Sequence, residues 1–179
     1  MLRRSARLAL LLLVAVSACS RSSESPSSEP DQAAAAEEPA AAAAPATAPT
    51  LRTASESHDI LERDQVTAKA EVRHVLIGWA ELATAYGGNM DARARERTRA
   101  GADDLAARIL ERAVAGDDFT ALMKTYSEDW GSADSGTSYT AEPDAGLVEP
   151  FKRLSLRLQV GESGLVLSRY GWHVIKRFE

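Results

Sequence analysis

Two stretches of this chain read as β-strands that each carry a histidine, and they bracket the foldable part of the sequence. The first is AEVRHVLIGW, where Glu71 to Trp79 partly alternates polar and apolar residues and holds His74 among β-branched neighbours. The second closes the protein as GLVLSRYGWHVIKRFE, with His173 in its last strand. Between them the period changes. From Asp103 to Ala115, the apolar residues Leu105, Ala106, Ile109, Leu110, Ala113 and Val114 recur at helical spacing. Gly116 stops that helix. Asp117 or Asp118 can cap the next, which carries Phe119, Leu122, Met123 and Tyr126. Gly131 to Gly146 is turn-rich, and Pro150 to Leu158 presents Phe151, Leu154 and Leu158 on one helical face. Gly161 and Gly164 lead into a strand at Leu165–Ser168, and Gly171 separates it from Trp172–Phe178, which makes a hairpin. The order is strand, helices, weak strand, helix, hairpin. Helices grouped between antiparallel strands predict an α+β fold rather than a βαβ one.

Several function classes are missing from this pattern. There is no Gly-rich phosphate loop, no metal-ligand cluster and no Ser-His-Asp signature, so neither a metal nor a cofactor is expected. The formal net charge of −5 gives no reason to expect a nucleic-acid partner. One local run is basic: DARARERTRA holds Arg93, Arg95, Arg97 and Arg99. It reads either as a solvated helix start or loop, or as an arm that attracts acidic segments or phosphates near a groove.

The N-terminus reads as a targeting segment. Arg3, Arg4 and Arg7 form a basic region before the apolar stretch Leu8 to Val16. Such a stretch falls within the about 7–15 residues of a secretory signal and short of the about 20 that span a bilayer. Ser17-Ala18 then leads to Cys19, the only cysteine. VSAC resembles a bacterial lipobox, which implies a lipoprotein signal peptide over 1–18 and lipidation of Cys19. No thiol is then left for a disulfide, a metal cluster or nucleophilic catalysis, and several acyl chains on one cysteine give stable anchoring. Ser20 stands where an inner-membrane retention signal would place Asp, so the resemblance implies a lipid anchor in the outer membrane, facing the periplasm.

Residues 19–60 read as a tether. Serines and Pro26 open it, alanine runs follow, and Pro39, Pro45 and Pro49 interrupt helix propagation. With Leu51 the first large aliphatic residue, this stretch lacks the apolar surface that offsets chain entropy. It is expected to be a disordered spacer rich in Ala, Pro and Ser. Residues 61–179 then form one domain, expected to be monomeric. His58 falls in the tether and receives no functional weight, and Trp130 and Trp172 are given no role.

The order of motifs in this domain resembles the parvulin family of peptidyl-prolyl cis/trans isomerases. RHVLI is similar to the family's first strand, and AGDDFTALMKTYSED to its helix and following turn. LVEPFKRLSLRLQVGESGLVLSRYGWHVIKRFE is similar to its C-terminal third almost without a gap. The resemblance implies a small four-stranded antiparallel sheet surrounded by about four helices, a parvulin-like and hence FKBP-like α+β fold. By position, it implies that His74 and His173 are the paired histidines at the centre of the sheet, and that Asp129 stands where members have Asp or Cys. Leu147 takes a position that is often Met, Phe151 the aromatic position that cradles proline, and Ser168 the hydroxyl position that hydrogen-bonds the inner histidine. Asp129 has a plainer reading as the cap of a turn.

Such residues suit rotation about an X-Pro bond. The barrier of about 18–20 kcal/mol comes from amide resonance, so the reaction requires neither a nucleophile nor a cofactor. It requires a dry pocket for the pyrrolidine ring, here Leu147 and Phe151, and polar groups that bind the twisted bond better than the planar one. Ser168, His74 and His173 would form the hydrogen-bonded floor, with Asp129 acting electrostatically near the substrate carbonyl. The expected substrates are proline-containing unfolded or envelope polypeptides. One departure bears on activity. Where members carry a Gly-Gly-Asp-Leu-Gly-aromatic second strand, this chain reads SGTSYTAEPDAG, keeping Gly136 and placing Ala141 and Glu142 where aromatics are expected. Tyr139 could rebuild that edge, and Glu142 would bring an acid near the pocket. The alternative to an active isomerase is a catalytically weak chaperone or adaptor of the same fold.

Overall fold

A computed structural model describes residues 51–179. The stretch read as a signal peptide, Cys19 and the part of the expected tether before Leu51 lie outside the described residues. Four strands form one antiparallel sheet: β1 (Ala70–Ile77), β2 (Tyr139–Ala141), β3 (Ser163–Ser168) and β4 (Gly171–Arg177), in the order β2-β1-β4-β3. The two histidine strands are therefore adjacent and central. This register sets His74 opposite Ile175 and His173 opposite Leu76.

Because side chains alternate across a sheet, each strand feeds two cores. Val75, Ile77, Leu165, Trp172 and Val174 point to one face. There they meet helix α3 (Arg99–Ala115), through Ala102, Ala106 and Ile109, and helix α4 (Phe119–Tyr126), through Phe119, Leu122 and Met123. Val72, Val166 and Ile175 point to the other face, against helix α6 (Glu149–Ser155) and the single turn α1 (His58–Leu61). His74 and His173 share the parity of this second face.

Caps set the helix ends. The Thr98 hydroxyl accepts from the Gly101 N–H, so α3 starts earlier than its apolar period suggests, and it ends at Gly116, where φ is +96°. The Asp118 carboxylate accepts from the Thr120 N–H at the start of α4. Single turns α2 (Ala92–Arg95) and α5 (Trp130–Ala133) and a 3-10 segment over Ala80–Tyr86 complete the described elements.

One boundary differs from the sequence reading. Residues 52–60, expected to be spacer, lie on the domain. The Ser57 N–H donates to Leu165 O, its hydroxyl accepts from the Leu165 N–H, and the Leu167 N–H donates to the Glu56 carboxylate. The exposed edge of β3 is thereby covered. Ile60 is buried, and Gly164 leaves room for it, since a Cβ there would sit 3.3 Å from Ile60 and Leu154. Of these three bonds one joins backbone to backbone and two use the Ser57 and Glu56 side chains, and such polar contacts leave no hydrophobic period in the sequence.

Candidate active site

The register of β1 and β4 brings the two imidazoles together diagonally. Their ring planes are 19° apart with centroids at 5.3 Å, and Nδ1 of His74 lies 3.1 Å from Nδ1 of His173. Ser168, at the end of β3, reaches Nε2 of His173 at 2.7 Å, and its Oγ accepts from the Tyr170 N–H at 3.0 Å. On the other side, Nε2 of His74 meets Asp129 Oδ2 at 2.9 Å. With both imidazoles neutral, one polarity satisfies every group: Ser168 donates to His173, His173 to His74, and His74 to Asp129. Each ring then uses one nitrogen as donor and one as acceptor. Burial, with His74 beside it, pushes the His173 imidazole well below its usual range.

Asp129 is held in place by backbone contacts rather than by chance. The Glu128 N–H donates to Leu76 O, and the Leu76 N–H donates to Ser127 Oγ, so the turn after α4 continues the sheet beside β1. Asp129 sits at the N-cap of α5 but makes no side-chain cap bond there. Its carboxylate instead receives His74, the Tyr139 hydroxyl at 2.6 Å and the Ser132 hydroxyl at 2.7 Å. The His74 bond first, then those of Tyr139 and Ser132, hold the acid far below the ordinary carboxylate range despite partial burial. Burial and the Asp129 carboxylate push the Tyr139 phenol up to about 12.

Above this floor is a cavity of about 350 Å³. Phe151, buried in the first turn of α6, stands edge-on to both imidazoles, at 5.1 Å from His74 and 5.4 Å from His173. Leu76, Leu147, Val148 and Tyr139 add apolar wall, and Arg169 and Tyr170 form a rim. The structure thus gathers His74, Asp129, Leu147, Phe151 and His173 around one cavity, with Ser168 bonded beneath it.

The altered second strand resolves into particular contacts. Tyr139 pairs opposite Val72 in β2, and its ring lies 5.2 Å from His74 and 5.8 Å from Phe151. Ala141 is fully buried in the core that includes Phe151. Glu142, expected near the pocket, is not among the residues lining the cavity. Ser132 was not singled out by the sequence reading, although its spacing three residues after Asp129 in a helical turn is the available signal. Among the described residues no group of three or more His, Cys, Asp and Glu could hold a metal ion.

The arginine run is largely tied into the fold. Arg93 pairs with Asp91 at 2.9 Å and donates to Ser127 O. Arg97 pairs with the buried Glu128 at 2.5 Å and donates to Gly78 O. Arg99 pairs with Asp103 at 3.0 Å and lies over Trp79. Arg95 donates to Gly88 O. Burial raises the Glu128 carboxyl, opposed by the Gly78 N–H and Arg97.

A central histidine pair on the inner strands of a β2-β1-β4-β3 antiparallel sheet, facing an apolar cavity, defines the parvulin class of prolyl isomerase domains. The sequence matches the PPIC-type PPIASE domain over residues 58–179, more than half of the chain, and the protein belongs to that family. It is 34% identical over 114 residues to the chaperone SurA of Pseudomonas fluorescens, covering 63% of this chain and 24% of that protein. It is 39% identical over 72 residues to foldase protein PrsA 4 of Bacillus cereus, covering 40% and 26% respectively. The chain therefore matches only about a quarter of the length of these curated relatives. The fold is similar to that of the peptidyl-prolyl isomerase ESS1 of Candida albicans, with a TM-score of 0.52 and 22% identity over 63% of each chain. It is similar too to TbPIN1, with a TM-score of 0.53 and 21% identity over 63% of this chain and 98% of that one.

Proposed function

We propose that this protein is a membrane-tethered prolyl isomerase that accelerates rotation of X-Pro bonds in unfolded envelope polypeptides. The observation that carries the reading is the Ser168–His173–His74–Asp129 chain lying under an apolar cavity walled by Phe151 and Leu147. The pyrrolidine ring fits the apolar part, where water is displaced and the charge-separated planar amide loses its hydration. Asp129, held anionic, lies on the cavity wall. A carboxylate near the substrate carbonyl opposes the build-up of negative charge that resonance places on that oxygen, so it favours the twisted amide. Lowering the barrier by about 4 kcal/mol gives a thousandfold acceleration, and no bond to carbon is made or broken. The histidines act as a positioning pair. Their bonds fix the Asp129 carboxylate and leave no unpaired polar group on the pocket floor.

The lipid anchor belongs to the same reading. Its support is the VSAC pattern ending at Cys19 and the Ala/Pro/Ser-rich stretch after it. Lipidation would hold the domain at the periplasmic face of the outer membrane, as a monomer, close to polypeptides that are still unfolded. The similarity to a chaperone and a foldase supports such clients. Two measurements test the reading. The protein should speed the proline-limited phase of refolding of a model substrate, and Phe151→Ala should remove that effect. Cells fed an alkyne fatty acid should label the wild-type protein and not Cys19→Ser; equal labelling of both would exclude the anchor.

A further inference from the structure

We propose that an arginine-lined groove at the far end of the β3–β4 hairpin docks the domain on the anionic surface of a lipid bilayer; its use in the cell rests on the anchored reading above. The groove has a volume of about 510 Å³. Its wall carries Arg63, Arg157 and Arg177, with Val66, Gln159 and Val160 among the other residues, and no acidic side chain. The surrounding sequence is biased the same way. From Phe151 to Glu179 there are six lysines and arginines against two glutamates, in a protein whose formal net charge is −5.

The three guanidiniums are held mainly by the backbone. Arg157 Nε donates to Arg63 O at 3.1 Å and its Nη1 to Arg153 O at 3.1 Å. Arg63 Nη1 reaches back to Arg157 O at 3.4 Å. Arg177 donates to the main-chain oxygens of Leu158 at 2.9 Å and Glu179 at 2.7 Å. Glu162 pairs with Arg63 at 2.7 Å, whereas neither Arg157 nor Arg177 meets a side-chain carboxylate among the described residues. A carbonyl takes the hydrogen bond and leaves the charge in place. Like charges gathered this way repel one another until an anion lies across them, and the guanidinium fork suits phosphate oxygens.

Two further observations favour a bilayer over a free anion or an acidic protein. Five large apolar side chains are exposed among the described residues, and two of them, Val66 at 46% and Val160 at 65%, line this groove. Cations beside exposed apolar side chains match the headgroup region, where phosphates overlie acyl chains. The second observation is chain length. On the anchored reading, Ser20 to Thr50 put 31 residues between the lipid and the described domain, a reach of at most about 110 Å in any conformation. The bilayer is then always near, so a contact too weak to hold a free protein becomes populated. Docking also leaves the proline cavity open. Ser163 pairs with Lys176 at the groove end of the hairpin, and Ser168 with Gly171 at the other, beside the Arg169 and Tyr170 that rim the cavity. Strand β3 separates the two ends by about 15–20 Å.

The test places the full-length protein, isolated from cell membranes, on vesicles of phosphatidylcholine alone or with about 30% phosphatidylglycerol. Hydrogen exchange is read by mass spectrometry. Each arginine at an anionic surface contributes about fivefold in affinity. Exchange over residues 62–68 and 156–162 should therefore slow about fivefold on the anionic vesicles alone, and recover in about 0.5 M salt. Val160→Asp sets a carboxylate on the groove wall without removing a side-chain hydrogen bond, and should reduce the slowing to less than about twofold, as should Arg157→Gln. Lys124→Gln, which removes an exposed charge from α4, should leave it unchanged. Equal exchange on both vesicles, or slowing that survives Val160→Asp and Arg157→Gln, would overturn the proposal. Slowing by inorganic phosphate or polyglutamate where anionic vesicles give none would overturn it too, in favour of a free-anion site or an acidic partner. The anchor is scored separately. Without it the protein washes off phosphatidylcholine vesicles, and the groove is then judged on added anionic vesicles by the same exchange and the same variants.

Discussion

Removing the Tyr139 hydroxyl takes away one of three donors to Asp129 without disturbing the ring that faces His74 and Phe151. Tyr139→Phe should therefore keep the fold and lower kcat/KM about two- to fivefold, equivalent to about 0.4–1 kcal/mol. The carboxylate should titrate nearer its ordinary range, which carbon-detected NMR of Asp129 would read. His173 makes a second prediction. Buried and held neutral, it binds a proton in the unfolded chain at about pH 6.5 but not in the folded one until well below that. The unfolded state then carries more protons over this window, so stability falls as pH drops below about 6.5, by about 2 kcal/mol at pH 5 for a group that stays neutral. His173→Gln should flatten this part of the profile, measured as urea midpoints at pH 8 and pH 5. An unchanged slope would show that another group carries it. Asp129 adds a separate loss at lower pH. Its depressed carboxyl stabilises the fold above its unfolded value of about 3.9, and that stability is lost as pH falls toward the folded value.

At the level of elements, the segment between β1 and α3 is bolted to the turn that carries Asp129. Arg97 and Glu128 are the bolt, with the Gly78 N–H donating to Glu128 at 2.6 Å. Removing one partner of such a buried pair leaves the other uncompensated, so Arg97→Ala should destabilise by about 3–5 kcal/mol. Arg95→Ala should stay within about 0.5 kcal/mol of wild type. Equal effects in chemical denaturation would contradict the assigned partners. The hairpin makes a similar demand at Gly171, where φ is +126° and a Cβ would lie 2.3 Å from Ile77 O. Gly171→Ala should cost at least about 2 kcal/mol. Much of this level was legible in the sequence. The histidine strands, the two capped helices and the Gly171 break each rest on local period or turn chemistry. The partner of Arg97 was not, because its carboxylate lies 31 residues away and nothing local marks that pairing. Tyr139 was legible only as a candidate to rebuild the second strand, since its bond to Asp129 depends on the β1–β2 register.

Across the whole domain, the site is assembled from separate parts of the described chain: β1 and β4 hold the histidines, the turn leading into α5 holds Asp129, and α6 supplies Phe151. Residues 52–61 close the far side by covering β3 and burying Ile60 and Leu61. A chain beginning at residue 62 should lose about 3–6 kcal/mol, since each of the two buried aliphatic side chains contributes about 1.5–3 kcal/mol. Its melting temperature against that of the full chain measures this. The sequence placed residues 52–60 in the spacer because their attachment runs through scattered polar contacts, whereas the residues gathered at the cavity over the histidine pair fall at recognisable positions in the motifs. The account as a whole depends on Asp129 acting as a fixed anion beside an apolar pocket. The most direct measurement is NMR exchange on a proline tetrapeptide, comparing the full-length protein with Asp129→Ala, with circular dichroism of both. The account predicts that wild type accelerates exchange and that Asp129→Ala, still folded, loses at least about tenfold, or 1.4 kcal/mol, of that acceleration. Undiminished exchange in a folded Asp129→Ala protein would contradict it.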